Sequence, residues 1–339
     1  MTPAPASTSP RTRLTAHLVP AGVTAWTRAM AWASLLANAL LIVTGGAVRL
    51  TGSGLGCPTW PRCTDESWTN TPEMGLHGVI EFGNRLLTFL LVIIAVLTML
   101  SVWRSRHRHP WLVRLAAAIG VGIVLQAVVG GITVRTGLNP WVVGIHFVIS
   151  AVLVAVAAVL VNRTRRASLP RVAEGERPGQ VAGTDRGWMR ALAPVLAVST
   201  ALAIYLGTLV TGTGPHSGDA GVVARLTFDP YVITRVHVVP VYVLVAAAVV
   251  ALGLSLARRW PGAVRRILGV LAGVVAVQAL IGYYQFFNGV PELAVGLHMA
   301  GAAALAAVAT MAVEKMYAVS ARAADPVAPG QVRDALTRS

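Results

Sequence analysis

Three histidines occupy matched positions in three long apolar segments of the sequence. His146, His237 and His298 each lie about two helical turns into the segment, counted from the same predicted side, or about 10 Å along the helix axis. Polar side chains are costly at such a depth in a membrane, so we expect these histidines to bind a ligand. The alternative is a histidine that only hydrogen-bonds to a neighbouring helix.

The histidines of the C-terminal half suit a haem iron. Two histidines on facing helices of a four-helix bundle can supply both axial ligands, and His237 and His298 fit that arrangement. The sequence has no C-x-x-C-H motif, so such a haem would be held without thioether bonds. Zinc is a weaker candidate because no carboxylate or thiolate completes a four-ligand set at this depth.

The segments that carry these residues are predicted membrane spans. Of the 339 residues, 55% are hydrophobic and 12% are charged, and the mean hydropathy is +0.67. A soluble domain carries about 25% charged residues, so this composition excludes an ordinary water-soluble enzyme. Apolar runs predict an all-α polytopic membrane protein with eight transmembrane helices, at 29–49, 77–101, 113–133, 140–161, 191–211, 231–256, 264–285 and 293–314.

Basic residues mark one side of this predicted arrangement. Most of the 28 basic residues lie in the two tails and in the connections after the second, fourth and sixth spans. Cytoplasmic loops carry such an excess, so both termini are predicted to be cytoplasmic. The net charge of +15 then reflects membrane topology, and no nucleic-acid partner is expected.

The two halves of the chain resemble each other. At one constant offset, Gln126, Gly130 and His146 correspond to Gln278, Gly282 and His298. We therefore predict two pseudo-symmetric four-helix bundles related by an axis along the membrane normal. The predicted organisation is an N-terminal tail 1–28, a first bundle 29–161, a linker 162–190 rich in Pro, Gly, Glu and Arg, a second bundle 191–314 and a C-terminal tail 315–339.

The N-terminal half departs from this symmetry in its second span. Asn84 stands where the alignment places His237, and an amide is a poor iron ligand. Glu81 and His77 share the helix face of Asn84. A carboxylate beside an incompletely ligated haem suggests a role in chemistry, whereas a structural ion pair with Arg85 is the alternative.

The loop after the first span contains the two cysteines of the chain, Cys57 and Cys63. The charge pattern places this loop outside the cell, where thiols can oxidise. A structural disulfide, a redox-active thiol pair and two free thiols are the alternatives, and the first is favoured because Arg62 alone could stabilise a thiolate.

These motifs together resemble the haem A synthase family. The resemblance rests on His146, His237, His298, Cys63, Glu81-Phe82-Gly83-Asn84-Arg85 and Gly45-Gly46-Ala47-Val48-Arg49-Leu50-Thr51-Gly52-Ser53-Gly54-Leu55-Gly56-Cys57-Pro58. It implies a haem b cofactor in the C-terminal bundle and a haem O substrate in the N-terminal bundle. The implied reaction oxidises the C8 methyl group of haem O to a formyl group, yielding haem A for terminal oxidases in the bacterial plasma membrane.

The resemblance also implies roles for individual residues. It makes His237 and His298 the ligands of the haem b iron, and it makes Glu81 catalytic. The substrate haem site is expected to contain His146, Asn84 and His77, with His146 as a ligand of its iron. Cys57 and Cys63 match a disulfide pair.

Two positions depart from the family pattern. Many members have histidine at the position of Asn84, and some carry a second cysteine pair where this chain reads Gly214-Pro215-His216-Ser217-Gly218-Asp219.

Expected partners are the lipid bilayer, a haem O synthase, an electron-transfer protein and a second copy of the chain.

Two other classes of protein share some of these features. A di-haem b-type electron carrier would need two complete axial pairs, which Asn84 argues against. A cofactor-free transporter could also contain a parallel repeat, but transporters place their sites near the bilayer centre on broken helices.

Overall fold

Eight long helices make up the part of the chain that the computed structural model describes, which comprises residues 17–168, 182–219, 221 and 223–322. Each helix is long and apolar enough to cross a membrane. They are α1 Ala25–Leu50, α2 Gly75–Trp103, α3 Pro110–Arg135, α4 Pro140–Ala167, α5 Gly183–Thr213, α6 Pro230–Ala257, α7 Gly262–Phe287 and α8 Glu292–Arg322. A short 3-10 turn, Pro72–Met74, precedes α2. The predicted all-α membrane fold is confirmed.

The helices extend beyond the apolar runs that predict them. The predicted linker 162–190 is helical at both ends, because α4 continues to Ala167 and α5 begins at Gly183. Asp185 in the first turn of α5 forms an ion pair with Arg258 at 3.2 Å, which anchors that turn to the end of α6. The middle of the predicted linker, 169–181, and most of both predicted tails lie outside the described residues.

Local sequence signals fix where the histidine-bearing helices begin. Pro140 and Pro230 occupy the first positions of α4 and α6, where proline costs no hydrogen bond. The preceding residues are N-caps. Asn139 accepts a hydrogen bond from the backbone N–H of Trp141 at 3.0 Å, and Asp229 accepts one from Val232 at 2.9 Å. These caps set the depth at which the histidines of α4 and α6 lie.

The helices form two four-helix bundles. In the first bundle α1, α2, α3 and α4 contact one another in a closed ring, and α5 to α8 close a second ring in the same order. Between the bundles α4 contacts α8, α1 contacts α8, and α4 contacts α5. Exchanging α1 with α5 and α4 with α8 reproduces this set of contacts, which is what the predicted duplication requires.

Polar contacts join the bundles at both ends. At one end, here called the outer end, the loops after α1 and α5 meet, and Gly54 N–H donates to the carbonyl of Gly218 at 2.7 Å. At the opposite, inner end, Arg163 of α4 forms an ion pair with Glu314 of α8 at 2.7 Å. The two bundles are therefore held together at the outer loops and at the inner helix ends.

Candidate functional site

The three histidines lie toward the outer end of the molecule, at similar depth. His146 and His298 each follow the first residue of their helix by six residues, and His237 follows Pro230 by seven, which is about 10 Å along each axis. All three side chains are half-buried. His146 belongs to the first bundle, whereas His237 and His298 belong to the second.

Each histidine ring lies against a glycine of the preceding helix. A methyl group placed on Gly130 of α3 would lie 3.3 Å from Cε1 of His146. The corresponding distance is 3.3 Å for Gly207 of α5 and His237, and 3.7 Å for Gly282 of α7 and His298. The absence of a side chain at each glycine lets the imidazole pack closely against the neighbouring helix.

The ring nitrogens of these histidines are available for coordination. Nδ1 of His146, His237 and His298 is buried and has no hydrogen-bond partner among the described residues, although the backbone of Ala203 approaches the His237 ring outside hydrogen-bonding geometry. Buried polar atoms are normally paired, so these orphaned nitrogens point to a missing ligand. His237 and His298 also lie close enough to interact electrostatically.

A metal ion held by protein ligands alone is not supported. In the described ranges no three His, Cys, Asp or Glu side chains lie together in a metal-binding group. A histidine pair fits a haem iron instead, because the porphyrin supplies the remaining ligands.

Asn84 and Glu81 lie on the first-bundle helix α2. The Asn84 side-chain oxygen is buried without a partner in the described structure. Glu81 is only 5% exposed, and its carboxylate is held on both oxygens: the Cys57 backbone N–H donates to Oε2 at 2.6 Å, and Arg85 donates to Oε1 at 2.5 and 3.1 Å. The ion pair with Arg85 is therefore present, and Glu81 also fixes the start of the cysteine loop.

Arg85 connects Glu81 to the rest of that loop. Its guanidinium donates to the backbone carbonyls of Cys57 at 2.9 Å, Thr59 at 3.0 Å and Arg62 at 3.2 Å. Sequence reasoning identified the i,i+4 pair but not these carbonyl contacts, because nothing in the spacing shows where the loop returns.

The cysteine loop covers the outer end of the first bundle. Cys57 and Cys63 form a disulfide, so the predicted disulfide is confirmed and two free thiols are excluded. On the far side of the loop, Trp60 packs on Gly131 of α3. Arg135 donates to the Trp60 carbonyl at 3.0 Å. The loop thus reaches from Glu81 on α2 to Gly131 on α3. The residue before Gly131 is Gly130, which abuts His146.

His77 lies at the edge of this covered region. Its side chain is exposed, and Nδ1 lies 2.9 Å from the hydroxyl of Ser53, which is fully buried in the loop after α1. Ser53 is also bridged to Asp219 of the loop after α5. The structure therefore places His77 beside the junction of the outer loops, one turn outward from Glu81.

Arg49 lies near the histidine pair, which the sequence did not indicate. It lies at the outer end of α1 and donates to the carbonyl of Thr211 on α5 at 3.0 Å, while its buried Nε has no partner in the described part of the chain. Thr211 is one turn outward from Gly207, which abuts His237. Arg49 interacts electrostatically with Arg225. A half-buried arginine of the first bundle thus contacts α5 one turn outward from the glycine that abuts His237.

Comparisons with known proteins agree with this geometry. Residues 28–310 match the model of a family described as "Cytochrome oxidase assembly protein". The chain is 30% identical to "Heme A synthase" of Methylobacterium sp. (strain 4-46), over 77% of this chain and 84% of that protein. It is 28% identical to "Heme A synthase" of Caulobacter sp. (strain K31), over 80% of this chain and 90% of that protein.

These matches extend over both bundles, so they cover all three histidines, Glu81 and the cysteine loop. With eight membrane-spanning helices and orphaned histidines at one end, they identify the chain as a member of the cytochrome oxidase assembly family of membrane proteins, the family of the haem A synthases.

Proposed function

We propose that this protein is a haem A synthase that oxidises the C8 methyl group of haem O to a formyl group. The observation that carries the proposal is the set of three half-buried histidines, each beside a glycine and each with an orphaned ring nitrogen, in a chain of this family. Haem is a ligand that such a set suits, and the relatives are named for a haem product.

The second bundle is the proposed site of a resident haem b. His237 and His298 would hold its iron, and Gly207 and Gly282 let the two imidazoles pack closely against their neighbouring helices. Haem b would supply one-electron redox chemistry when bound. Arg49 is suited to a propionate carboxylate because its buried Nε has no hydrogen-bond partner among the described residues.

The first bundle is the proposed site of the haem O substrate. His146 offers one ligand, and Asn84 on the neighbouring helix offers a buried oxygen that can accept a hydrogen bond but ligates iron poorly. The site is therefore asymmetric, as a site that must release its product requires. The cysteine loop lies over it and excludes water from the outer side.

Glu81 is the proposed catalytic carboxylate of this site. Oxidation of a methyl carbon removes electrons and protons from it, and a nearby carboxylate stabilises the developing positive charge and accepts protons. Arg85 and the Cys57 N–H occupy three of about four acceptor positions of the carboxylate, which leaves one for a proton or a substrate group. His77 is exposed one turn outward and can pass protons toward the surface.

The proposed setting is the bacterial plasma membrane, with both termini in the cytoplasm. The inner end of the described helices carries most of the arginines, among them Arg28, Arg108, Arg165 and Arg266, as cytoplasmic ends do. The disulfide lies at the opposite, outer end. A haem O synthase, an electron-transfer protein and a second copy of the chain are the proposed partners.

Haem analysis tests the proposal. The chain is expressed with a haem O synthase in cells that lack their own haem A synthase, and haems are separated by chromatography. We expect haem A to appear, and the purified protein to show one tightly bound haem b. Haem O that stays unconverted would contradict the proposal. Two tightly bound haems in bis-histidine form, without haem A, would indicate an electron carrier, and no Soret band would indicate a transporter.

A further inference from the structure

A cavity lies at the inner end of the molecule, opposite the end that carries the three histidines. It has a volume of about 460 Å³ and opens between the bundles, where α1 and α4 of the first face α7 and α8 of the second. Its walls combine cations, polar groups and apolar side chains, among them Arg28, Arg165, Lys315, Asn162, Trp32 and Ile267. These positions are within about two turns of the inner helix ends, at the depth of a membrane interface.

The three cations of this cavity form no ion pair with the carboxylates of the described ranges. In the described structure no carboxylate lies within ion-pairing distance of Arg28, Arg165 or Lys315. Glu314, which precedes Lys315 in the sequence, is paired with Arg163. Arrangements of like charge are unfavourable unless an anion neutralises them, so this cavity is built to hold an anion.

The charge around Lys315 extends beyond the cavity wall. The ammonium group interacts electrostatically with Arg165, Arg166 and Arg266, and in the opposite sense with Glu314. A field of this kind concentrates anions at the cavity. Asn162 donates a hydrogen bond to the carbonyl of Met311, and Thr164 donates one to the carbonyl of Leu160. The cations are therefore the main donors left for a ligand.

The rest of the lining suits a lipid. Trp32 is 48% exposed and lies at the inner end, where tryptophans mark the level of lipid headgroups. Ile267 and Met311 continue the wall with apolar surface, along which an acyl chain can lie. A soluble anion would gain nothing from this apolar wall, whereas a phospholipid uses both parts.

We propose that the inner-end cavity between the two bundles binds an anionic phospholipid, with its phosphate held by Arg28, Arg165 and Lys315. The cytoplasmic leaflet of a bacterial membrane carries such lipids, and basic pockets between transmembrane helices on that side bind their headgroups. A lipid held there contacts both halves and joins them where α1 faces α7.

Native mass spectrometry of the purified full-length protein in a neutral detergent tests this inference. The probes are dioleoylphosphatidylglycerol, dioleoylphosphatidylcholine and inorganic phosphate. We expect phosphatidylglycerol to bind at one site and to raise the melting temperature, and the other two probes to do neither. Equal binding of the two lipids, or an equal effect of inorganic phosphate, would overturn the proposal.

Matched variants locate the site. Lys315→Gln and Arg165→Gln should each weaken phosphatidylglycerol binding about fivefold, whereas Lys315→Arg keeps the charge and should bind normally. Arg108→Gln is the control, because Arg108 is an exposed inner-end arginine outside the cavity. Equal weakening by Arg108→Gln would show that the lipid responds to net charge alone. These outcomes do not depend on haem A production, so they are separable from the proposed function.

Discussion

The two bundles have the same ring arrangement of four helices but differ at their outer ends. In the second bundle both proposed ligand positions are histidines, His237 and His298. In the first bundle one of them is His146 and the other is Asn84, and a disulfide loop held by Glu81 lies above them. The second bundle, with its two histidines, has the features of a site that holds a permanent cofactor. The first bundle, with one histidine and one asparagine, has those of a site that binds a substrate and releases a product.

The bundles also differ on the helix that precedes the one carrying His237 or Asn84. When the sequences that end α1 and α5 are aligned, Thr-Gly-Ser-Gly with Thr-Gly-Thr-Gly, Gly207 corresponds to Ala47. The first bundle therefore has neither this glycine nor the second histidine. That both differ together is what we expect if the glycine and the ring serve one ligand.

Loss of either axial histidine of the second bundle should have the largest effect. His237→Ala and His298→Ala should each remove most of the tightly bound haem b, because iron with one axial ligand is held much less firmly. Reduced-minus-oxidised spectra and a haem-to-protein ratio measure this. His107→Ala, an exposed inner-end histidine, is the control and should retain the haem. Full, spectrally unchanged haem b in both axial variants would refute the assignment.

Much of this comparison could be predicted from the sequence. Apolar runs predicted all eight helices, because lipid burial demands about 20 apolar residues per span. They did not predict the first turns of α5, since Asp185 and Arg186 are helical outside the apolar run. Hydropathy detects the lipid-facing part of a helix and is silent on its polar ends.

The site was predicted less completely than the fold. Helix spacing places His77, Glu81 and Asn84 on one face but does not show what that face meets. The contacts of Glu81 with the Cys57 N–H and of Arg49 with the Thr211 carbonyl span 24 and 162 residues. Such contacts follow from how loops and bundles come together, and no local pattern contains them.

Removal of the Glu81 charge should have the next largest effect. Glu81→Gln can still accept the Cys57 N–H, and Arg85 keeps its three loop carbonyls, so the loop and haem b should persist. Haem A formation should fall at least about 100-fold, the usual contribution of a general acid or base. Chromatography of haem O, haem A and any hydroxylated intermediate in cells measures this loss.

Arg85→Gln is the matched comparison for Glu81. If Glu81 only fixes the loop, Arg85→Gln should be at least as harmful, and the double variant should recover part of the lost haem A because no buried charge is left unpaired. A catalytic Glu81 predicts no such recovery. Normal haem A production by Glu81→Gln would exclude the catalytic role.

A histidine at position 84 should make the first bundle retain haem as the second bundle does. Asn84→His supplies the ligand that His237 supplies in the second bundle, so the first bundle should hold its haem more tightly after purification. An increase in the amount of copurified haem O or haem A, and in low-spin absorption, would show this. Asn84→Gln, which keeps an amide, is the control. Equal haem retention by both variants would mean that position 84 does not face the substrate iron.

The glycines beside the histidines should give the smallest effects, graded by distance. In Gly207→Ala the new methyl lies 3.3 Å from Cε1 of His237, so the ring must move by a few tenths of an ångström. Overpacking of this kind costs about 1 kcal/mol, which lowers haem b affinity about fivefold. In Gly282→Ala the distance to His298 is 3.7 Å, an ordinary contact, and affinity should hardly change. Haem transfer to apomyoglobin measures both affinities.

A third glycine separates this effect from helix stability. A methyl group added at Gly273 of α7 would meet no described atom within 4 Å, so Gly273→Ala should raise the melting temperature through helix propensity without touching haem affinity. In Gly207→Ala the same gain in helix propensity offsets the overpacking cost, so the variant should unfold no earlier than the unchanged protein, yet release haem sooner. If all three variants release haem at the same rate, the space beside His237 is not part of the haem site. If Gly207→Ala alone is affected, Gly207 serves haem binding rather than the packing of α5 on α6.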